Sequence, residues 1–210
     1  MSAPLLYNYD LDEDCYRVRL VAGCLGVTLA THSIDMYPGR EHLGADMLAL
    51  NPQGRLPVLV DGDLVLAQPL AIMLHLAESL APGHTLLPRD PATRARMMDW
   101  LTFATRDLGV AAAARATSML NAPGDLAALT SQARKALRLL DDHLTLQAIH
   151  GQDFTAGPEP TLADLMLFPA FALSRDFGID HDEFPALRVW ARRVRKLPGF
   201  QTMPGIPDYH

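Results

Sequence analysis

Leu50-Asn51-Pro52-Gln53-Gly54-Arg55-Leu56-Pro57-Val58-Leu59 joins the end of a helical stretch to a short apolar strand and sets Pro57 at the strand's entry. An X-Pro bond can take the cis form at a cost of about 0.5–1 kcal/mol. A cis Leu56-Pro57 bond would turn the Leu56 N–H and C=O away from the sheet, where they can pair with the backbone of an extended ligand. By itself the dipeptide is better read as a trans proline opening an edge strand. A hairpin follows: residues 58–60 and 64–66 flank Asp61-Gly62-Asp63, and Asp-Gly between apolar runs is a strong hairpin signal.

Upstream of this junction, residues 5–9 read as a strand and 14–25 as a helix closed by Gly26. Residues 27–34 read as a second strand and 41–50 as a second helix. Downstream, a helix is expected over about 69–80. The order β-α-β-α-β-β-α needs one crossover, hence a parallel pair, to which the hairpin adds antiparallel strands in the same small sheet. Ala81-Pro82-Gly83-His84 opens a linker that reaches about Asp90-Pro91, and no strand signal follows it. Residues 92–117 read as one long helix and 126–150 as another. Thr161-Leu162-Ala163-Asp164 fits a capping box with Asp in place of the usual Glu or Gln. The run 165–173 is apolar on every side, marking a helix buried in mid-domain, and Pro169 is expected to kink it. A last helix over 184–196 carries Leu187, Trp190, Ala191 and Val194 on one face and Arg188, Arg192, Arg193 and Arg195 on the other. The expected class is α/β followed by all-α, with domains at 1–81 and 92–210 joined by a linker at 82–91.

The 210 residues carry 24 acidic and 18 basic side chains, a formal net charge of −6. That balance argues against a nucleic-acid partner or an anionic membrane surface, both of which need a concentrated basic face. No apolar run approaches the roughly 20 residues that cross a bilayer. Met1-Ser2-Ala3-Pro4 shows no basic segment leading into an apolar one, so a cytosolic protein is expected. Cys15 and Cys24 lie nine residues apart, on opposite faces of a single helix, which precludes a disulfide between them. The eight histidines, among them His32, His42, His75 and His150, show no metal-ligand spacing, so no metal is expected. No phosphate-cradling glycine loop is present.

The element order, together with Leu6-Tyr7-Asn8-Tyr9, Tyr16-Arg17-Val18-Arg19-Leu20, the 50–59 stretch, Gln68-Pro69-Leu70-Ala71-Ile72 and Thr161-Leu162-Ala163-Asp164, resembles the glutathione transferase superfamily over essentially the whole chain. The wording is most similar to the zeta, maleylacetoacetate isomerase-like class and related bacterial proteins. The resemblance implies a thioredoxin-like domain that holds glutathione as co-substrate, a helical domain that helps hold a small electrophile, and a homodimer. It implies that Leu56, before Pro57, pairs with the cysteinyl backbone and that Gln68 takes the γ-glutamyl end. Arg40, His42 and Arg55 become candidates for the glycyl carboxylate, where a cation gives a charge-assisted hydrogen bond. Phe103 and Arg106 are expected in the electrophile pocket, with Pro207-Asp208-Tyr209-His210 folding over it.

Two positions depart from the family pattern. Where serine-type members carry a hydroxyl at the start of the first helix, this chain reads Asp12-Glu13-Asp14-Cys15. An ionised Asp12 cannot donate to a thiolate and raises the thiol pKa; equally, carboxylates in a first turn suit the helix dipole whatever the chemistry. Asn8 falls where tyrosine-type members place their catalytic residue, Tyr9 could reach the cleft from a loop, and Cys15 is better read as buried and inert. The second departure is Pro69, where the family has Ser: proline suits a helix start but removes a hydroxyl and an N–H. Each lost hydrogen bond to a charged group is worth about 1.5–3 kcal/mol. The expected function is therefore glutathione-dependent conjugation or isomerisation of a small electrophile, with a binding or regulatory module that no longer uses glutathione as the alternative.

Overall fold

The computed structural model describes residues 3–207. Its first half builds a four-stranded sheet of order β2-β1-β3-β4 from β1 (Leu5–Asn8), β2 (Ala30–Ser33), β3 (Val58–Asp61) and β4 (Leu64–Leu66). β1 pairs with β2 in parallel and with β3 antiparallel, and β3–β4 is the expected hairpin. Gly62, the first of its two loop residues, takes φ +60°, a position where a Cβ would be strained. Helices α1 (Glu13–Leu25), α2 (Ala45–Leu50) and α3 (Pro69–His75) complete this unit. The second half is helical: α4 (Pro91–Arg106), α5 (Val110–Leu120), α6 (Leu126–Ile149), α7 (Leu162–Ala172) and α8 (Pro185–Arg195).

Several boundaries differ from the sequence expectation, each for a local reason. The second strand starts at Ala30 instead of residue 27, because Val27 is spent ending α1. Gly26 sits at φ +69° with its N–H on Gly23 O at 3.0 Å, and Val27 N–H reaches Ala22 O at 2.9 Å, which is the Schellman closure. The helix expected over 41–50 is a 3-10 turn (Glu41–Leu43) and α2, separated by Gly44 in an extended conformation. α3 ends in a π-helical turn (Leu76–Leu80), with Ala81 N–H bonded to Leu76 O at 3.0 Å.

The long helix expected over 92–117 is two helices. Asp107 and Leu108 both donate to Phe103 O, and α5 begins afresh at Val110. A Cβ on Gly109 would lie 2.6 Å from Thr105 O, so this corner needs glycine.

At the centre of the helical half every residue of α7 is buried, and the helix runs unbroken through Pro169. It packs against α1, α4 and α8. Its capping box is complete: Thr161 caps the Ala163 N–H, while Asp164 accepts from the Thr161 N–H at 2.8 Å. One continuous hydrophobic cluster joins α1 and α3 of the first unit to α4–α8 of the second.

Candidate active site

The sharp turn from β1 into α1 meets α5 across a cavity of about 310 Å³. Tyr9, Leu11, Asp12, Glu13, Asp14, Met36 and Tyr37 form one wall; Ala112, Arg115, Ala116, Met119 and Leu120 form the other. Arg115 ties the walls together, donating from Nε to Asp176 Oδ2 at 2.7 Å and from a terminal nitrogen to Leu11 O at 3.0 Å.

Asp12 is the N-cap of α1, half-buried, and accepts the Cys15 N–H through Oδ1 at 2.7 Å. Burial, then the neighbouring Asp14 carboxylate, push its pKa up to about 6. Glu13 and Asp14 both pair with Arg17, whose Nε also donates to Met166 O of α7 at 2.9 Å. Asn8 is buried and fully engaged: its Nδ2 donates to Asp10 Oδ1 at 2.8 Å, and its carbonyl accepts from Arg19. It does not line the cavity wall, whereas Tyr9 does. Cys15 is removed from the set of candidate nucleophiles. It has no solvent exposure, its sulfur accepts the Tyr9 N–H at 3.4 Å, and burial followed by the Asp12 charge hold its thiol far above the usual range.

The Leu56-Pro57 bond is cis. Among the described residues the Leu56 backbone meets no hydrogen-bond partner. Its side chain packs with Cys15, Ile34, Met47 and Val58, and Tyr9 and Met36 of the cavity wall lie against the same cluster. The preceding loop is held by Asn51, whose side chain donates to Arg55 O at 2.8 Å and accepts the Gln53 N–H at 3.1 Å. Gly54 sits at φ +60°, a left-handed conformation that strains a side chain, and a Cβ there would also press on Leu43 Cδ2 at 2.7 Å. Gln68, at the N-cap of α3, bridges to Gln53 Oε1 at 3.3 Å, with Pro69 as the first helical residue. The chain thus brings Gln53 and Gln68 together beside the start of α3.

Arg40 and Arg55 are exposed, Arg40 in the left-handed region at φ +54°. His42 is buried with Nδ1 unpartnered, and burial, then the Arg40 charge, lower its pKa. Its ring lies 6.2 Å from Tyr37, which in turn is 6.4 Å from Tyr9.

Phe103 and Arg106 do not line this cavity. They line a separate depression with Trp100 and Asp107, because the break at Gly109 swings α5, not the end of α4, over the cavity. The cavity-lining residues that sequence reasoning did not single out are those of α5 and Tyr37. The signal for α5 was present: a run of small residues from Ala111 to Ala114, then Arg115, Met119 and Leu120 at helical spacing. Of the expected carboxy-terminal cover, Asp208 to His210 lie outside the described residues. Among the described residues no group of three His, Cys, Asp or Glu side chains is arranged to hold a metal.

Known proteins share both halves of this architecture. The family described as glutathione S-transferase, N-terminal domain, matches residues 15–79, and its C-terminal domain matches 111–193. Glutathione S-transferase 1 of Dianthus caryophyllus is 32% identical over 87% of this chain and 83% of its own. Maleylacetoacetate isomerase of Rhizobium meliloti is 33% identical over 94% and 93%. A crystal structure of a possible glutathione S-transferase from Rhodopseudomonas palustris superposes with a TM-score of 0.86 at 28% identity, over 98% of this chain and 100% of the other. With an N-terminal sheet domain, a helical C-terminal domain and relatives of this identity and coverage, the chain belongs to the glutathione S-transferase family.

Proposed function

We propose that the chain is a glutathione-dependent enzyme that joins the glutathione thiol to a small electrophile, or isomerises one through such an adduct. The observation that carries this reading is the cavity itself. One wall adjoins the cluster that holds Leu56 beside its cis proline; the other is the α5 face with Ala112, Ala116 and Met119. In this reading Leu56 pairs with the cysteinyl backbone and Gln68, steadied by Gln53, takes the γ-glutamyl end. His42, with its unpartnered Nδ1, and Arg40 or Arg55 serve the glycyl carboxylate. Tyr9 and Asp12 face the sulfur, Asn8 acts only by holding Arg19, and the electrophile rests on α5.

The glutathione-binding domain ends near residue 81, and the helical domain begins near 92. Exposed Leu64 and Val65 on β4 and Met98 on α4 supply apolar surface for a second copy, so light scattering should give twice the 23.0 kDa chain mass. The free thiols of Cys15 and Cys24 suit the reducing cytosol.

One observation favours a second reading, a binding module without glutathione chemistry: Pro69 offers neither N–H nor hydroxyl at the start of α3. Calorimetric titration with reduced glutathione, followed by turnover with a panel of electrophiles, separates the two. Micromolar to low-millimolar binding and a rate above background are expected. No heat of binding would sink the enzyme and leave the module.

A further inference from the structure

Three carboxyl groups line the cavity, and two of them, Glu13 and Asp14, share Arg17. Arg115, the cavity's cation, is held by Asp176 and Leu11 O. Arg19 is held by Asn8 and by the carbonyls of Tyr9 and Asp10. Asp12 is therefore the cavity carboxyl with no paired cation among the described residues. Its carboxyl accepts the Cys15 N–H through Oδ1 and also meets the Cys15 thiol, both neutral donors that leave its charge unpaired. A carboxylate in these surroundings gains more from a proton than an ordinary surface Asp does, because burial and a neighbouring negative charge both favour the neutral form.

We propose that Asp12 is the catalytic base of this site, taking the proton of the bound thiol and holding it as a hydrogen-bond donor to the resulting thiolate. The proposal rests on the glutathione reading above and replaces the family's hydroxyl with an acid–base pair. The sulfur–hydrogen bond breaks as the proton moves to an Asp12 oxygen. The sulfur electron pair then forms the carbon–sulfur bond. With an activated aryl chloride, chloride leaves with its bonding pair and Asp12 returns the proton to water. With an unsaturated carbonyl acceptor, the proton is delivered to the carbanion formed by addition.

A base of this kind works best when its pKa lies near the operating pH, and that of Asp12 is raised to about 6 by burial and Asp14. The groups facing it are known from each neighbouring element. Tyr9 follows β1; Glu13, Asp14 and Cys15 come from α1, where Arg17 is taken up by Glu13 and Asp14 and Arg19 acts on Cys15. Tyr37 follows β2, Arg115 comes from α5, and Asp176 lies behind Arg115. The Cys15 thiol beside Asp12 stays protonated throughout the working range because burial holds its pKa far higher.

The test compares the wild-type protein with Asp12→Asn and Asp12→Ser. Both replacements are good N-caps, and thermal melts confirm that the variants fold. Glutathione binding is measured by calorimetry, the ultraviolet thiolate band of the bound peptide is followed against pH, and kcat/KM is measured with an activated aryl chloride and an unsaturated carbonyl. In the wild type the rate should rise through about pH 6 with no thiolate band in the resting complex near neutrality. Asp12→Asn should bind glutathione within a few-fold of wild type. It should lose roughly 10²-fold in kcat/KM at neutral pH, with its rise moved to the alkaline range where the thiol ionises unaided. Asp12→Ser should show the thiolate band, with its rate following that band. Wild-type protein that binds glutathione yet gives the same pH profile as Asp12→Asn, or no turnover, overturns the role of Asp12 alone. Wild-type protein that binds no glutathione overturns the functional reading and this inference together.

Discussion

His181 has no solvent exposure; its ring stacks on Phe171 at 4.3 Å and its Nε2 lies 3.1 Å from Ser174 Oγ. Burial, then the charge of Arg175, lower its pKa to about 4. A histidine whose folded pKa is depressed stabilises the fold above its unfolded pKa, about 6.5, and that stability is lost as pH falls toward the folded value. Between about pH 6.5 and 4 the unfolded chain binds the extra proton, so acid favours unfolding. The difference amounts to on the order of 3 kcal/mol at most, at 1.36 kcal/mol per pKa unit. His181→Gln, which cannot titrate, should flatten the fall in urea midpoint across this window. Parallel slopes for wild type and variant would refute the assignment. Nothing around His181 in the sequence, Asp180-His181-Asp182-Glu183, announces such burial. It follows from how α7 and α8 close over the ring.

At the scale of elements, Asp164 joins three segments. It accepts from the Thr155 N–H and hydroxyl, the Thr161 N–H and hydroxyl, and Trp190 Nε1, at 2.8–3.2 Å. Asp164→Ala would orphan these donors inside the core and remove a helix cap, at a cost on the order of 3 kcal/mol or more. Asp164→Asn should fall in between, because one oxygen remains an acceptor while the amide turns donors toward donors. Chemical denaturation of both variants checks the order, and an Asn variant no better than Ala would contradict it. The capping box itself was legible, since its residues lie within four positions. The same was true of the sheet and the hairpin, written in local patterns of strand and turn, whereas Leu-Pro by itself reads as trans and the bond is cis. What was not legible depends on distant partners. The first turn of α8 receives its cap from Asp141 of α6, which accepts the Leu187 N–H at 2.9 Å. The break after α4 depends on a glycine whose missing Cβ matters only because Thr105 O stands where it would be. That break is why Arg115, and not Phe103 or Arg106, lines the cavity beside Asp12. On the sheet side, the turn from β1 into α1 is contiguous in sequence, so Tyr9 and Asp12 could be placed together and both line the cavity.

At the scale of the whole molecule, the segment after α8 returns to the first unit. Tyr16 of α1 donates its hydroxyl to Gln201 O at 2.7 Å, and Met203 is buried. Gly23 and Gly199 meet backbone to backbone: a Cβ on Gly199 would lie 2.0 Å from Gly23 O, and one on Gly23 2.4 Å from Gly199 O. Gly199 also sits at φ +74°. Gly199→Ala should therefore lower stability by about 1–3 kcal/mol through overpacking and backbone strain together. An unchanged thermal midpoint would show that the seam gives way freely.

The corner at Gly109 has a further consequence. Every helical-domain residue of the cavity wall comes from α5, and two of them, Ala112 and Ala116, are small. A descendant gene could therefore remodel the volume and polarity offered to an electrophile by altering one eleven-residue helix. The wall built by the β1–α1 turn, with Tyr9 and Asp12, would be inherited intact, so one wall of the cavity would drift while the other stays fixed.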